Sequence, residues 1–361
     1  VARILIAPDS FKGSATSLEV AHAIKQGWLS LRSHDLVECA PFADGGEGTL
    51  DCVESVRATS QRIPITVQGA TGIELHSSWL LVDGDVAVIE MATLCGITTV
   101  EKLDPLGAHS LGLGQAIASA LGDARVNEIL ISVGGSASTD GGTGALAALG
   151  FRFSDADGLP VALGGQGLQQ IATITKRSDL KIPIRGIKVL VDVQSPLLGA
   201  TGAAHIFGPQ KGASAHDVQL LDAGLAHLMQ VVGAHDRAGY GAAGGVAFGL
   251  SALLGAEIVS GVQTLAALID LDGKIADSDY VITGEGSFDS QSFSGKVVGH
   301  ILERAQVHGV GAGVICGVNK SGSDVATVAL VDLAPSTEAA IADSQKWLFE
   351  AGAKIAGAFH H

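Results

Sequence analysis

Aromatic residues are scarce in this chain, 4% of 361 residues, which leaves too few rings for the stacking platforms that hold single-stranded nucleic acid. Positive charge is short as well. With 22 Lys and Arg against 37 Asp and Glu, the formal charge is −15, so neither a nucleic-acid backbone nor an anionic membrane surface is an expected partner. The four cysteines, Cys39, Cys52, Cys95 and Cys316, form no C-x-x-C pair and show no metal-like spacing with histidine. Reduced thiols in a cytoplasmic protein are the expectation, with no zinc site. Long apolar runs are missing too. Only residues 238–256 are uncharged over a span-like length, and six glycines interrupt them, so they read as a packed segment rather than a membrane span. Residues 1–7 read as a short strand without the apolar core or cleavage pattern of a secretory leader, and His360-His361 reads as a tag remnant. The chain has no G-x-x-x-x-G-K-[ST] and no protein-kinase loop set, which excludes both of those nucleotide-binding designs. No G-x-G-x-x-G opens a helix with an acid about 20 residues on, which argues against a dehydrogenase.

Glycine, by contrast, is abundant at 49 residues, and it clusters where apolar runs end. Residues 129–133 read as a buried strand that runs into Gly134-Gly135-Ser136, then Ser138, Thr139 and Asp140-Gly141-Gly142, with a helix over 144–149. Missing Cβ atoms there would let backbone N–H groups approach an anion, the way many phosphate sites are built. The same turn is also what any tight strand-to-helix connection looks like. Its recurrence carries more weight than any single copy.

Residues 3–7 read as a strand ending in Pro8-Asp9-Ser10-Phe11-Lys12-Gly13, followed by a capping box from Thr16 to Glu19 and a helix over 17–31 whose Trp28 belongs to the core. A second strand over 36–40 ends in Asp44-Gly45-Gly46-Glu47. Those two acids suit orienting a hydroxyl, holding Mg²⁺ through water, or shaping a turn and capping the helix over 50–56. Residues 63–90 alternate as antiparallel strands, which marks a domain junction near residue 60; Glu90 at their end suits either a ligand or a buried capping role. The run 187–193 predicts a buried strand with Asp192 inside it, an expensive position for a carboxylate that lacks a partner. Lys211 lies on a Gly-Pro turn. Ile258, Val262, Leu265 and Ile269 predict an amphipathic helix. A strand over 277–281 leads through Ile282 and Thr283 into Gly284-Glu285-Gly286, with Asp289 and then Gly295-Lys296 at a helix start.

In open α/β sheets ligands gather outside the carboxyl ends of strands, so these acids, lysines and glycine turns can converge. Together they suit phosphoryl transfer. Lysines and N–H groups neutralise the moving charge, carboxylates hold Mg²⁺, and one acid takes the proton of the acceptor hydroxyl. Asp192 is the expected general base, with Mg²⁺ coordination as its other reading.

The motifs Pro8-Asp9-Ser10-Phe11-Lys12-Gly13, Ala43-Asp44-Gly45-Gly46-Glu47-Gly48-Thr49, Gly134-Gly135-Ser136, Phe207-Gly208-Pro209-Gln210-Lys211-Gly212 and Gly284-Glu285-Gly286 resemble those of the bacterial glycerate kinase family. Asp289, Gln291, Gly295 and Lys296 extend the likeness, although Ser287 stands where that family usually has arginine. The resemblance implies ATP- and Mg²⁺-dependent phosphorylation of D-glycerate, with 2-phosphoglycerate favoured over 3-phosphoglycerate. It also implies two dissimilar α/β domains, one flavodoxin-like with a parallel sheet, the other mixed. The first comprises residues 1–60 and 272–361, from both chain ends, and the second is an insertion of residues 61–271. Asp192 and Lys12 are then the expected catalytic residues. Asp9, Ser10, Asp44, Gly45, Gly46, Glu47, Gly134, Gly135, Ser136, Lys211, Glu285 and Lys296 are expected to bind substrate or phosphate, and Asp192 and Asp289 to hold metal. Homo-oligomerisation stays open. The rival is a non-catalytic sensor of a small hydroxy acid or nucleotide.

Overall fold

A computed structural model describes residues 1–176, 179–293 and 296–359, so Gly295 and His360-His361 lie outside the described residues. The chain divides into two units: Val1–Asp44, Asp51–Ala58 and Val262–His361 form one, and Gly45–Leu50 with Thr59–Gly261 form the other. The first unit is built on five strands, all parallel, in the order Ala326–Ala329, Gly311–Asn319, Tyr280–Phe288, Arg3–Ile6, Leu36–Cys39. This is a flavodoxin-like order, and it reverses direction between Arg3–Ile6 and Tyr280–Phe288. A doubly wound sheet opens a crevice at that point.

The helix Ser17–Leu31 starts at the Thr16 and Glu19 capping box, with both reciprocal hydrogen bonds formed. It buries Val20, Ile24 and Trp28 against Leu348 and Ile355 of the helix Ser344–Ala358. The two helices approach closely enough that a Cβ on Gly27 would stand 2.0 Å from the Phe349 carbonyl oxygen, and one on Gly352 would stand 2.4 Å from that of Ile24. Trp28 is core, as its position in the helix predicts, and its indole N–H donates to the Asp35 carboxylate at 3.1 Å.

The strand Tyr280–Phe288 does not end at the glycines but runs through Gly284-Glu285-Gly286, pairing Glu285 with Cys316. Close strand spacing explains the glycine, because a Cβ on Gly284 would stand 2.1 Å from the Ile315 carbonyl oxygen.

The second unit has a mixed sheet ordered Glu257–Val259, Ile187–Leu190, Glu128–Ser132, Val86–Glu90, Glu74–Val82, Gln61–Gln68. Its first four strands are parallel, and the last two add antiparallel, which is the alternating texture of residues 63–90. Trp79, Ile89, Leu113, Ile131, Val189 and Phe248 form its core. Two local expectations fail here. Ile258 belongs to an edge strand rather than to the helix that follows, Gly261–Leu268, because its neighbours pair with Lys188 and Leu190. The strand Ile187–Leu190 stops before Asp192, which lies half-buried past its carboxyl end. Within residues 242–254 the backbone is left-handed at Ala243, Gly244 and Gly245 and helical beyond them, with Val246, Phe248, Leu250 and Leu254 buried. No helix among the described residues is long and apolar enough to cross a membrane.

Candidate active site

In the first unit the loop after Arg3–Ile6 folds back on itself. Phe11 is 3% exposed and anchors the loop in the core, Ser14 and Ala15 donate to its carbonyl, and Gly13, at φ +81°, closes the turn. Lys12 is thereby lifted to an exposed tip. Asp9 is tied to the neighbouring strand by its N–H, which donates to the Gly284 carbonyl at 2.8 Å, while its carboxylate accepts from the Ser10 N–H. Burial and then the negative charge of Asp44 raise Asp9 to about 7, and Glu285 adds to the rise while Lys12 opposes it. Glu285 is raised as well, chiefly by burial, with Lys296 and Lys12 pulling it back. One of its carboxylate oxygens is buried without a hydrogen-bond partner. Asp9, Ser10, Lys12, Asp44, Glu285 and Lys296 therefore share one electrostatic neighbourhood at the switch point of the sheet. Asp289 adjoins it but shapes a turn, accepting from the Gln291 N–H. Lys296 is exposed as the N-cap residue of the helix Val297–His308.

The motif around the second glycine pair is divided, with Asp44 in the first unit and Gly45–Leu50 in the second. The reason is hydrogen bonding. Ser132 Oγ donates to the Gly45 carbonyl at 2.7 Å, the Gly134 N–H donates to the same oxygen at 3.2 Å, and Glu90 accepts from the N–H groups of Gly48 and Leu50. Glu90 is thus a buried capping partner for backbone, the second of the two roles its position suits. A Cβ on Gly134 would stand 2.5 Å from the Gly46 Cα, so Gly134 is glycine because another backbone packs on it. An anion does not explain it. Glu47 is exposed.

Lys211 departs furthest from a solvated loop lysine. It is 2% exposed, and its ammonium donates to the Ser136 Oγ at 2.8 Å and to the Ser138 carbonyl. Residues 75 positions apart in sequence are joined by that contact. Burial lowers Lys211 to about 8, against the pull of Asp140 and Cys95. Asp140, named in the sequence only as part of a glycine turn, is a fully buried carboxylate that accepts from the N–H and Oγ of Ser110 and the N–H groups of Gly142 and Gly144. Its only signal was an acid set among small residues. Asp192 is hydrogen-bonded past the strand end: its Oδ1 accepts from the Ser260 Oγ at 2.8 Å and the Gly261 N–H at 3.1 Å. Ser260 went unread. Gly45 lies near the same strand end, its hypothetical Cβ 3.4 Å from that of Leu190.

Among the described residues no three His, Cys, Asp or Glu side chains stand together to hold a metal ion, and Asp192 and Asp289 belong to different units.

The profile of the glycerate kinase family matches residues 4–360. The chain belongs to that family. It is 41% identical to a glycerate 2-kinase of Escherichia coli over 82% of this chain and 80% of the relative, and 39% identical to a glycerate kinase of Bacillus subtilis over 85% and 83%. The crystal structure assigned as glycerate kinase 2 of Salmonella typhimurium superposes with a TM-score of 0.84 at 34% identity, covering 99% of this chain and 98% of that one. The chain is accordingly an enzyme, a kinase with an alcohol group as acceptor. Of its family motifs, those beginning at Pro8, Ala43 and Gly134 follow strand ends, Gly284-Glu285-Gly286 lies inside a strand, and the one around Lys211 lies between the helices Ala203–Phe207 and Ala215–Val232.

Proposed function

We propose that the enzyme transfers the γ-phosphoryl group of ATP to D-glycerate, with Mg²⁺, in the cytoplasm, and that the product is 2-phosphoglycerate. The name of the Escherichia coli relative supports the position of transfer. One observation from the molecule itself carries the chemistry: Asp9, Asp44 and Glu285 meet Lys12 and Lys296 at the switch point of a parallel sheet, with Asp9 raised to about 7. A carboxylate that titrates near the working pH can take a hydroxyl proton and release it again.

Lys12, exposed on its loop tip, is the proposed catalytic cation that offsets phosphoryl charge, with Lys296 beside it at a helix start. A magnesium ion that arrives on ATP with phosphate and water ligands needs only one or two protein carboxylates, and Asp289 of the first unit or Asp192 of the second is the proposed one. When bound, the ion neutralises charge on the phosphate oxygens. Two carboxylates compete for the role of base. Asp192 is oriented through its Oδ1 by Ser260 and Gly261, whereas Asp9 has the matched titration.

Coupled ADP release with D-glycerate, ATP and Mg²⁺, followed by phosphorus NMR of the product, tests the reading. A glycerate-dependent signal that resolves as 2-phosphoglycerate is expected. Ligand binding without any ADP release would make the protein a sensor, and 3-phosphoglycerate would overturn the assigned position.

A further inference from the structure

We infer that Lys211 is a positioning residue that acts through Ser136: its ammonium group donates to the Ser136 hydroxyl oxygen, so the Ser136 O–H is turned outward to donate to an oxyanion of a substrate. The inference deepens the kinase reading, on which it rests only for the identity of the anion.

Lys211 is 2% exposed and cannot itself meet a ligand in the way a surface lysine does. Two of its N–H donors are occupied within the fold, one by the Ser136 Oγ and one by the Ser138 carbonyl. A hydroxyl oxygen that accepts from an ammonium must point its own proton elsewhere. Ser136 retains 7% exposure, the small window through which a ligand oxygen could be reached. The same loop carries a second sign of a polar guest. Ser138 Oγ and Thr139 Oγ1 are fully buried without a hydrogen-bond partner, a condition that native interiors normally avoid and that a bound polar group relieves.

The arrangement depends on the charge of Lys211, and the ionisable groups facing it are Asp140 and Cys95. The Asp140 carboxylate is shared among four donors from Ser110, Gly142 and Gly144, and burial pushes the Cys95 thiol up to about 12, so the thiol stays neutral. Burial dominates over both, and Lys211 loses its proton at about 8. A neutral amine has a lone pair. Above that pH the Ser136 O–H can turn to the amine nitrogen, the polarity of the contact reverses, and the oxyanion loses its donor.

Isothermal calorimetry without turnover tests this, using D-glycerate alone and ATP alone as probes at about pH 7.5 and about pH 9.5, an interval in which neither probe changes charge. For one of the two probes, wild-type affinity should fall roughly 10-fold or more at the higher pH, the loss of a hydrogen bond to a charged group. A step in glycerate binding identifies a carboxylate as the anion, and a step in ATP binding identifies a phosphate. Ser136→Ala should stay folded with a lowered thermal midpoint, since the buried ammonium loses a partner, bind that probe weakly at both pH values and lack the step. Lys211→Met, where it folds, has no amine to titrate and should lack the step. A pH step retained in Ser136→Ala would make the lysine purely structural and overturn the inference, as would wild-type binding of both probes without a step or binding of neither. Failure of the kinase reading shows separately, as binding of a probe without ADP release.

Discussion

Replacing Asp9 by Asn removes a carboxylate that the fold holds at about 7, against 3.8 for an ordinary aspartate, and the consequence for stability has a definite sign. Below about 4 the group is protonated in both folded and unfolded chains and contributes no difference. Between those two values the folded state keeps the proton and the unfolded state releases it, so stability falls as pH rises. The slope is about 1.4 kcal/mol per pH unit, and the fall ends once pH passes the folded value. Summed over the interval, the ionised Asp9 costs about 4 kcal/mol above neutrality, a large part of the roughly 5–15 kcal/mol by which domains are stable. Asn retains a carbonyl oxygen to accept from the Ser10 N–H and has nothing to ionise. Urea titrations at several pH values, followed by tryptophan fluorescence with Trp28 buried in the same unit, read the difference between variant and wild type. Other acids titrate alike in both proteins and cancel. Asp9→Asn should match wild type near pH 4 and exceed it by about 4 kcal/mol near pH 8. If Asp9 is also the base, kcat should show an acidic limb near 7 in wild type and fall by roughly 10²- to 10⁴-fold in the variant. A stability difference that is flat with pH would refute the claim that burial and Asp44 raise this group.

Asp192→Asn keeps an acceptor for Ser260 and Gly261, so the fold should hold. If Asp192 is the base, kcat should drop roughly 10²-fold without recovery at high Mg²⁺, whereas recovery at saturating Mg²⁺ would assign a metal role. Gly134→Ala puts a Cβ 2.5 Å from the Gly46 Cα, where neither backbone can step aside easily. A loss of about 1–3 kcal/mol in denaturant titration is expected, and unchanged stability would mean the glycine turn is looser than its geometry implies. Chelation of divalent metal should stop phosphoryl transfer and leave the folded state intact by circular dichroism; turnover persisting in excess chelator would remove magnesium from the proposed mechanism.

Much of the architecture is local, and so it was legible in the sequence. The Thr16 and Glu19 box starts the first helix where the spacing predicts, the alternation over residues 63–90 becomes antiparallel strands, and the strand ends before Pro8, Ala43 and Gly134 mark three of the loops that carry family motifs. Each of these depends on residues a few positions apart, within reach of periodicity and capping rules. What a side chain experiences across tens or hundreds of positions has no such signature. The tertiary structure alone decided that Lys211 is buried on Ser136, that Gly134 is glycine because Gly46 packs on it, and that the strand ahead of Asp192 stops short, leaving its carboxylate to Ser260 and Gly261. It also decided that Asp9 titrates near neutrality, because the fold buries its carboxylate and sets Asp44 beside it, with Glu285, 276 positions later in the chain, adding a smaller push across the paired strands Arg3–Ile6 and Tyr280–Phe288. Residue type names the chemistry available at each position; desolvation and long-range neighbours select which of it is expressed.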